Sequence, residues 1–169
     1  MPIFNEEMYL YDKNQNSDLF HLHSFGRLFP DADYIISLKD NSNTIIECVT
    51  DGVGYIEHNG TVTTVEKGDC YIIKKGSGYS YYSDDKKPYS KVWVTVYGSL
   101  IDRWLDFYNI DQQVYIKHLD ITSYYRQIQQ TELGRDMLDK DKMLILLVHG
   151  IIFEIPMSTP QTHTSPADP

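Results

Sequence analysis

Turn signals recur at short, regular intervals through the first part of the chain. They are Asp51-Gly52, Asn59-Gly60, Lys67-Gly68-Asp69, Gly76-Ser77-Gly78 and the loop Ser83 to Pro88. Turns about 8 to 12 residues apart leave room only for short antiparallel strands, as in a sandwich or barrel. Asn59-Gly60 is the sharpest of these signals, because both residues tolerate positive φ and can close a two-residue hairpin between Tyr55–His58 and Thr61–Val65. The intervening segments, IIECVT, GYIEHN, TVTTV, CYIIK, YSYYS and KVWVTVYG, are rich in β-branched and aromatic residues. The last alternates cleanly. Val92, Val94 and Val96 share one face, and Lys91, Trp93, Thr95 and Tyr97 share the other. The aliphatic face requires a dry partner, whereas the mixed face suits a pocket or solvent.

After Gly98 the period changes. Leu100, Ile101, Trp104, Leu105 and Tyr108 stand at helical spacing, which predicts a helix starting near Ser99. A short strand, VYIKHL, follows. A second helix, ITSYYRQIQQTEL, has Asp120 and Thr122 as candidate caps and Gly134 as its stop. The third, within MLDKDKMLILLVHGIIFEI, is apolar on two faces. Leu144, Leu147, Val148, Ile151 and Ile155 form one stripe, and Met143, Leu146, Gly150 and Phe153 form another. Such a helix has two surfaces to bury, its own barrel and a second subunit, although a central position in one larger core would also explain it. The segment PMSTPQTHTSPADP reads as a linker or frayed tail, which suggests a polypeptide that continues into a further domain.

Bulk properties narrow the function. A chain of 169 residues, 41% hydrophobic, predicts one domain with a real core. Fifteen Lys and Arg against 24 Asp and Glu give a formal net charge of -9, which repels a phosphate backbone. There is no run long and apolar enough for a membrane span and no signal-peptide pattern at the start, so the expected location is the cytoplasm. Cys48 and Cys70 read as reduced, buried thiols. The count of 14 tyrosines raises both the expected strand content and the chance of a polar-lined cavity.

Catalytic patterns are missing from the sequence. His21-Leu22-His23 has ligand-like spacing on a strand, but two imidazoles without further ligands make a poor metal site. Gly52-Val53-Gly54 precedes a strand, not a helix, and Gly76-Ser77-Gly78 lacks the strand-turn-helix of a nucleophile elbow. His149 in its apolar helix reads as a helix or interface residue. Glu47, within IIECV, is either a pocket group or a strand residue facing water. No catalytic residue, metal or cofactor is expected.

The pieces GRLFPDADYII, IIECVTDGVGYIEHNG, VEKGDCYIIKKGSGYSYYSD and PYSKVWVTVYG, taken in that order, resemble the N-terminal domain of AraC-type transcription regulators. The resemblance runs over roughly residues 18 to 155. It implies a mainly β fold, a cupin-like (jelly-roll) β-barrel followed by two to three α-helices, divided as an N-terminal arm (1–17), a ligand-binding barrel (18–98), a helical dimerisation segment (99–155) and a linker or tail (156–169). It further implies a small-molecule effector, often a sugar, an arm that closes over it, a homodimer, and DNA contact only through a helix-turn-helix domain not present in these residues. By position, the implied ligand-binding residues are Arg27, Lys39, Glu47, Tyr81, Lys91 and Trp93, and the implied dimer interface is Leu144, Leu147, Val148, Ile151 and Ile155. Trp93 would stack on a sugar face while Lys39, Tyr81 and Lys91 supply hydrogen bonds, and the two lysines also suit a phosphorylated or acidic effector. Trp93 as plain core, and the lysines as solvated strand-edge charges, are the ordinary structural alternatives. A small cupin-type enzyme, such as a metal-dependent isomerase or oxygenase, and a stand-alone carbohydrate-binding module are the rival functions.

Overall fold

Strand alternation divides the protein into two cores on either side of one sheet. The computed structural model describes residues 4–10, 18–110, 115–134 and 139–156. In chain order its elements are β1 (Glu6–Leu10), β2 (His21–Leu28), β3 (Ile35–Leu38), β4 (Thr44–Asp51), β5 (Val53–His58), β6 (Thr61–Glu66), β7 (Cys70–Ile73), β8 (Tyr79–Ser83), β9 (Ser90–Tyr97), α1 (Ser99–Phe107), β10 (Tyr115–Ile116), α2 (Thr122–Leu133) and α3 (Lys140–Glu154). One sheet has the order β1-β2-β9-β4-β7-β10 and the other β3-β8-β5-β6, with every ladder antiparallel. From β2 to β9 the chain crosses between the sheets at every step but the β5–β6 hairpin, so the two close face to face into a jelly-roll barrel of the cupin type.

The turns behave as their residues require. Asn59 and Gly60 take φ of 50° and 75°, and His58 pairs directly with Thr61 in the expected hairpin. Gly52, at φ 76°, lies so close to the following loop that a Cβ there would fall 2.3 Å from the Pro88 carbonyl oxygen.

On β9, Val92, Val94 and Val96 point outward with Ile46, Cys48, Cys70 and Ile72 of the neighbouring strands, and the helices cover them. This is the dry partner that the aliphatic face demanded. Cys48 and Cys70 face each other across β4 and β7 as free thiols. Both donate to the Leu119 carbonyl, at 3.3 and 2.8 Å, and so tie the approach to α2 onto the sheet. Helix α1 begins at Ser99 as the periodicity predicts, and α2 ends at Leu133 with Gly134 extended. The Asp120 carboxylate accepts the Thr122 N–H at 2.8 Å, at the start of α2. The strand expected over VYIKHL is paired only at Tyr115–Ile116, because His118 turns to φ 57°. Val114 lies outside the described residues, as do Met137 and Leu138 ahead of α3.

Helix α3 is apolar on two faces, and the structure assigns them. Leu144, Leu147, Val148, Ile151 and Ile155, the stripe expected at a subunit interface, are all buried inside the protomer's own outer core. The reason is packing: that stripe is where α3 meets the sheet and α2, and Gly150 lets the helices approach until a Cβ would lie 2.5 Å from the Tyr124 ring. Of the other stripe, Gly150 packs on α2 while Met143, Leu146 and Phe153 face outward, Leu146 63% and Phe153 64% exposed. Among the described residues, no helix is long and apolar enough to cross a membrane.

Candidate ligand-binding site

The inner face of the six-stranded sheet carries charge into the barrel. Alternation turns Glu47 of β4, Tyr71 of β7 and Lys91 and Trp93 of β9 toward the second sheet. Glu47 is the direct cross-strand neighbour of both Tyr71 and Trp93. Its Oε2 accepts from the Lys91 ammonium and from the Tyr71 hydroxyl, and Lys91 Nζ lies 3.2 Å from the Tyr71 oxygen. Glu47 and Lys91 are 2% and 1% exposed, so neither has water to fall back on. A buried charge survives only when paired and hydrogen-bonded, and each here supplies the other's partner.

Aromatic rings complete the enclosure of Lys91. Its Nζ lies 4.2 Å from the Tyr81 ring centroid, 4.7 Å from Tyr34 and 5.4 Å from Tyr89. Ring faces attract a cation, most strongly where it is desolvated. Burial draws the Lys91 ammonium below its ordinary value, opposed by the Glu47 carboxylate. Burial, reinforced by the Glu47 charge, pushes the hydroxyls of Tyr34, Tyr71, Tyr81 and Tyr89 upward, so all four stay protonated as hydrogen-bond donors.

Above this pair lies a cavity of about 250 Å³. Glu47, Trp93, Tyr34 and Tyr81 line it, and Ser24, Asn43 and Thr95 add hydroxyl and amide groups. Met8 of the edge strand β1 and the exposed His23 also border it. Trp93 is held by a glycine. Its Cα partner on β2 is Gly26, where a Cβ would come within 2.4 Å of the indole. Chemically the cavity offers an aromatic platform, a carboxylate acceptor and small polar groups, with its ammonium already committed beneath the floor.

Of the residues singled out from the sequence, the structure brings Glu47, Tyr81, Lys91 and Trp93 together in the barrel. Arg27 lies on the opposite face of the sheet, bonded to Glu7 through Nε and Nη2 at 2.9 and 3.1 Å. A bulge between Leu22 and Ser24 shifts the phase of β2, putting Leu22 and Phe25 both outward and Arg27 with them. Lys39 is exposed on the turn after β3 and does not line the cavity. Sequence reasoning missed Tyr34, Tyr71, Tyr89, Ser24 and Asn43. Tyr34, Tyr89 and Asn43 lie outside strands, where no periodicity marks them, and only the tyrosine count hinted at the first two. His21 stacks on Tyr97 at 4.4 Å, and among the described residues no group of three or more His, Cys, Asp or Glu side chains is placed to hold a metal ion.

A jelly-roll with a lined cavity and helices on its outer sheet defines a small-molecule-binding barrel. Residues 29–137 match the family model of the AraC-like ligand binding domain, and the chain belongs to that family. No curated protein sequence matches it. Among solved structures it is similar to the cupin domain of Schizosaccharomyces pombe Cnp3, at 17% identity and a TM-score of 0.43, over 59% of this chain and 69% of that one. It is also similar to a Bacteroides fragilis cupin protein, at 15% identity and a TM-score of 0.40, over 45% of this chain and 66% of that one. A cupin-like protein of Thermotoga maritima gives 15% identity and a TM-score of 0.41, over 57% of this chain and 68% of that one.

Proposed function

We propose that this domain senses a small neutral sugar or sugar derivative, held in the barrel cavity against Trp93, as the effector-binding and dimerisation part of an AraC-type transcription regulator in the cytoplasm. The observation that carries the reading is the Glu47–Lys91 pair beneath an aromatic-lined cavity. Lys91 is neutralised by Glu47 and Lys39 lies outside, so among the described residues the cavity keeps no uncommitted ammonium for an acidic effector. What it keeps is a stacking surface and hydrogen-bonding groups, which suit the two faces of a sugar ring.

The domain binds and does not catalyse. Glu47 is the acid lining the cavity, and it is tied by Tyr71 and Lys91 instead of being poised to move a proton. Occupancy reaches the N-terminal arm through Met8, which borders the cavity from β1, and through Glu6 on the same strand. Burial raises the Glu6 carboxyl, while the charges of Lys91 and Glu47 act on it from the barrel. Effector binding then shifts the population of arm positions, and DNA contact belongs to a linked helix-turn-helix domain, in keeping with a net charge of -9 here. The homodimer forms through the outward stripe of α3.

Thermal unfolding against a panel of neutral monosaccharides, with sugar-phosphate and EDTA arms, tests the reading. At 100 times its dissociation constant the effector adds about 2.7 kcal/mol. A neutral sugar that stabilises the protein, an effect lost in Trp93→Ala and indifferent to EDTA, is the expected result. Stabilisation confined to sugar phosphates and abolished by Trp93→Ala, or loss of stability with EDTA, overturns it.

A further inference from the structure

A second cavity, of about 470 Å³, opens on the other side of the same sheet, where β2 and β9 meet α2. Its polar lining comprises Arg27, Arg126, Tyr125, Gln129, Thr122, Thr50, Ser90 and Lys91, the last a strand residue whose ammonium points into the barrel, and Phe29 and Val92 add apolar surface. Every one of those polar groups can donate a hydrogen bond, and no carboxylate is among the described lining residues. Thr122 is also the first residue of α2, a helix of 12 residues with no acid in its first turn, so the positive end of the helix dipole adds to the same side, although the Thr122 N–H itself is taken by Asp120.

One buried side chain there lacks a partner of its own. Tyr125 is 5% exposed, and its hydroxyl makes no hydrogen bond among the described residues although it borders the cavity. Burial pushes that hydroxyl up to about 12, so it stays a donor. Arg126, one turn along α2 from Thr122, is exposed, and its charge adds to the Thr122 hydrogen bonds that hold the Asp120 carboxyl below its ordinary value. Arg27 is fixed beside Tyr125 by Glu7, whose two bonds use Nε and Nη2 and leave the protons of Nη1 unengaged by that pair. Asp120 accepts the Thr122 N–H and lines an adjoining groove with Lys67 that shares Thr50, Thr122 and Arg126 with this cavity, though Asp120 itself does not line it. The site is separate from the barrel cavity. The two share no lining residue, and the sheet itself stands between them.

We infer that this outer cavity is a binding site for a small organic phosphate, with the phosphate held by Arg126, Arg27, the Tyr125 hydroxyl and the start of α2, and the carbon skeleton against Phe29 and Val92. Guanidinium groups and helix N-termini are matched to phosphate oxygens by geometry as well as charge. The volume exceeds what a bare phosphate fills, which is why an ester is assigned. The occupant connects β1, through Glu7 and Arg27, to α2, and so joins the N-terminal strand to the helical layer.

Calorimetric titration of the full chain with glycerol 3-phosphate and with inorganic phosphate, at constant ionic strength and with glycerol as control, tests the assignment. Saturable one-to-one binding of glycerol 3-phosphate is expected, tighter than inorganic phosphate, absent for glycerol, and stronger above the second phosphate pKa near about 6. Arg126→Gln weakens it at least about tenfold, Tyr125→Phe weakens it several-fold, and Trp93→Ala leaves it unchanged. Arg126 is exposed and Phe keeps the Tyr125 ring, so both variants fold. No saturable binding of glycerol 3-phosphate, binding indifferent to Arg126→Gln, or binding lost in Trp93→Ala overturns the assignment. Because the neutral-sugar reading depends on Trp93 and not on Arg126, each can fail without the other.

Discussion

Lys91 occupies a position where a lysine is expensive to keep, fully buried beneath three tyrosine rings with one carboxylate to answer it. Removing one member of such a pair leaves the other charge stranded, which destabilises by about 3–5 kcal/mol, whereas replacing both by apolar groups is often neutral. Lys91→Met is therefore expected to be severely destabilised in urea unfolding, and Lys91→Met with Glu47→Leu to recover most of the loss. Failure of the double variant to recover would mean the pair does more than neutralise itself. Gly26→Ala tests the other wall. Its Cβ would meet the Trp93 ring at 2.4 Å and the Glu7 carbonyl oxygen at 2.5 Å. The variant is expected to lose about 1–3 kcal/mol and to bind sugar more weakly, by displacing both the indole and β1. At this scale the sequence was legible where alternation is strict. Residues 91–97 put Lys91, Trp93 and Thr95 on one face, and the structure keeps them there. It was silent where the chain leaves the strands, as at Tyr34 and Tyr89. The resemblance that implied Arg27 as a ligand residue carries no sign of the bulge in β2, which turns Arg27 to the outer face.

At the scale of elements, α3 is the segment whose two faces carry different predictions. Its inward stripe is core, so Leu147→Asp buries an unpaired charge and is expected to abolish cooperative unfolding in circular dichroism. On its outward stripe Phe153 meets the Tyr108 ring at 6.0 Å, and Tyr108 in turn meets Phe107 of α1, which is 75% exposed, at 5.1 Å. Leu146→Asp with Phe153→Asp is expected to leave the fold and thermal stability of the protomer intact while sedimentation velocity shows monomers in place of dimers. Monomers in the unaltered protein would refute the dimer. The helix and its two apolar stripes could be read from spacing alone. Which stripe faced home could not, because both have the same period and similar residues. The deciding facts are tertiary: the closeness that Gly150 allows to Tyr124, and the aliphatic face of β9 waiting to be covered.

The whole molecule is a two-sheet barrel whose six-stranded sheet has a dry core outside and an aromatic, charged core inside. That asymmetry has a pH signature. Tyr34, Tyr71, Tyr81 and Tyr89 have folded values above the ordinary 10.0, so their contribution is complete below pH 10 and is lost as pH rises beyond it, when unfolded tyrosines ionise and folded ones cannot. Lys91 acts the other way. Lowered from 10.5, it makes stability rise with pH up to that value, but it is one group against four. The expected outcome is a stability plateau that breaks above pH 10, with the slow part of tyrosinate absorbance appearing only as the protein unfolds. Full, rapid ionisation of all tyrosines in the folded state would contradict the inner core. The barrel class was legible because turn spacing and strand composition are local properties. The existence of two cavities on opposite faces of one sheet was not, since it depends on the bulge in β2 and on where α2 lands.

The most direct test of the central claim is tryptophan emission in a Trp104→Phe background, which leaves Trp93 as the remaining indole, titrated with the neutral sugar that stabilises the protein. A saturable change in emission, with a midpoint matching the stabilisation and lost when Glu47→Gln and Lys91→Met are introduced together, is the predicted result. Saturable binding that leaves Trp93 emission untouched would place the effector elsewhere and contradict the account.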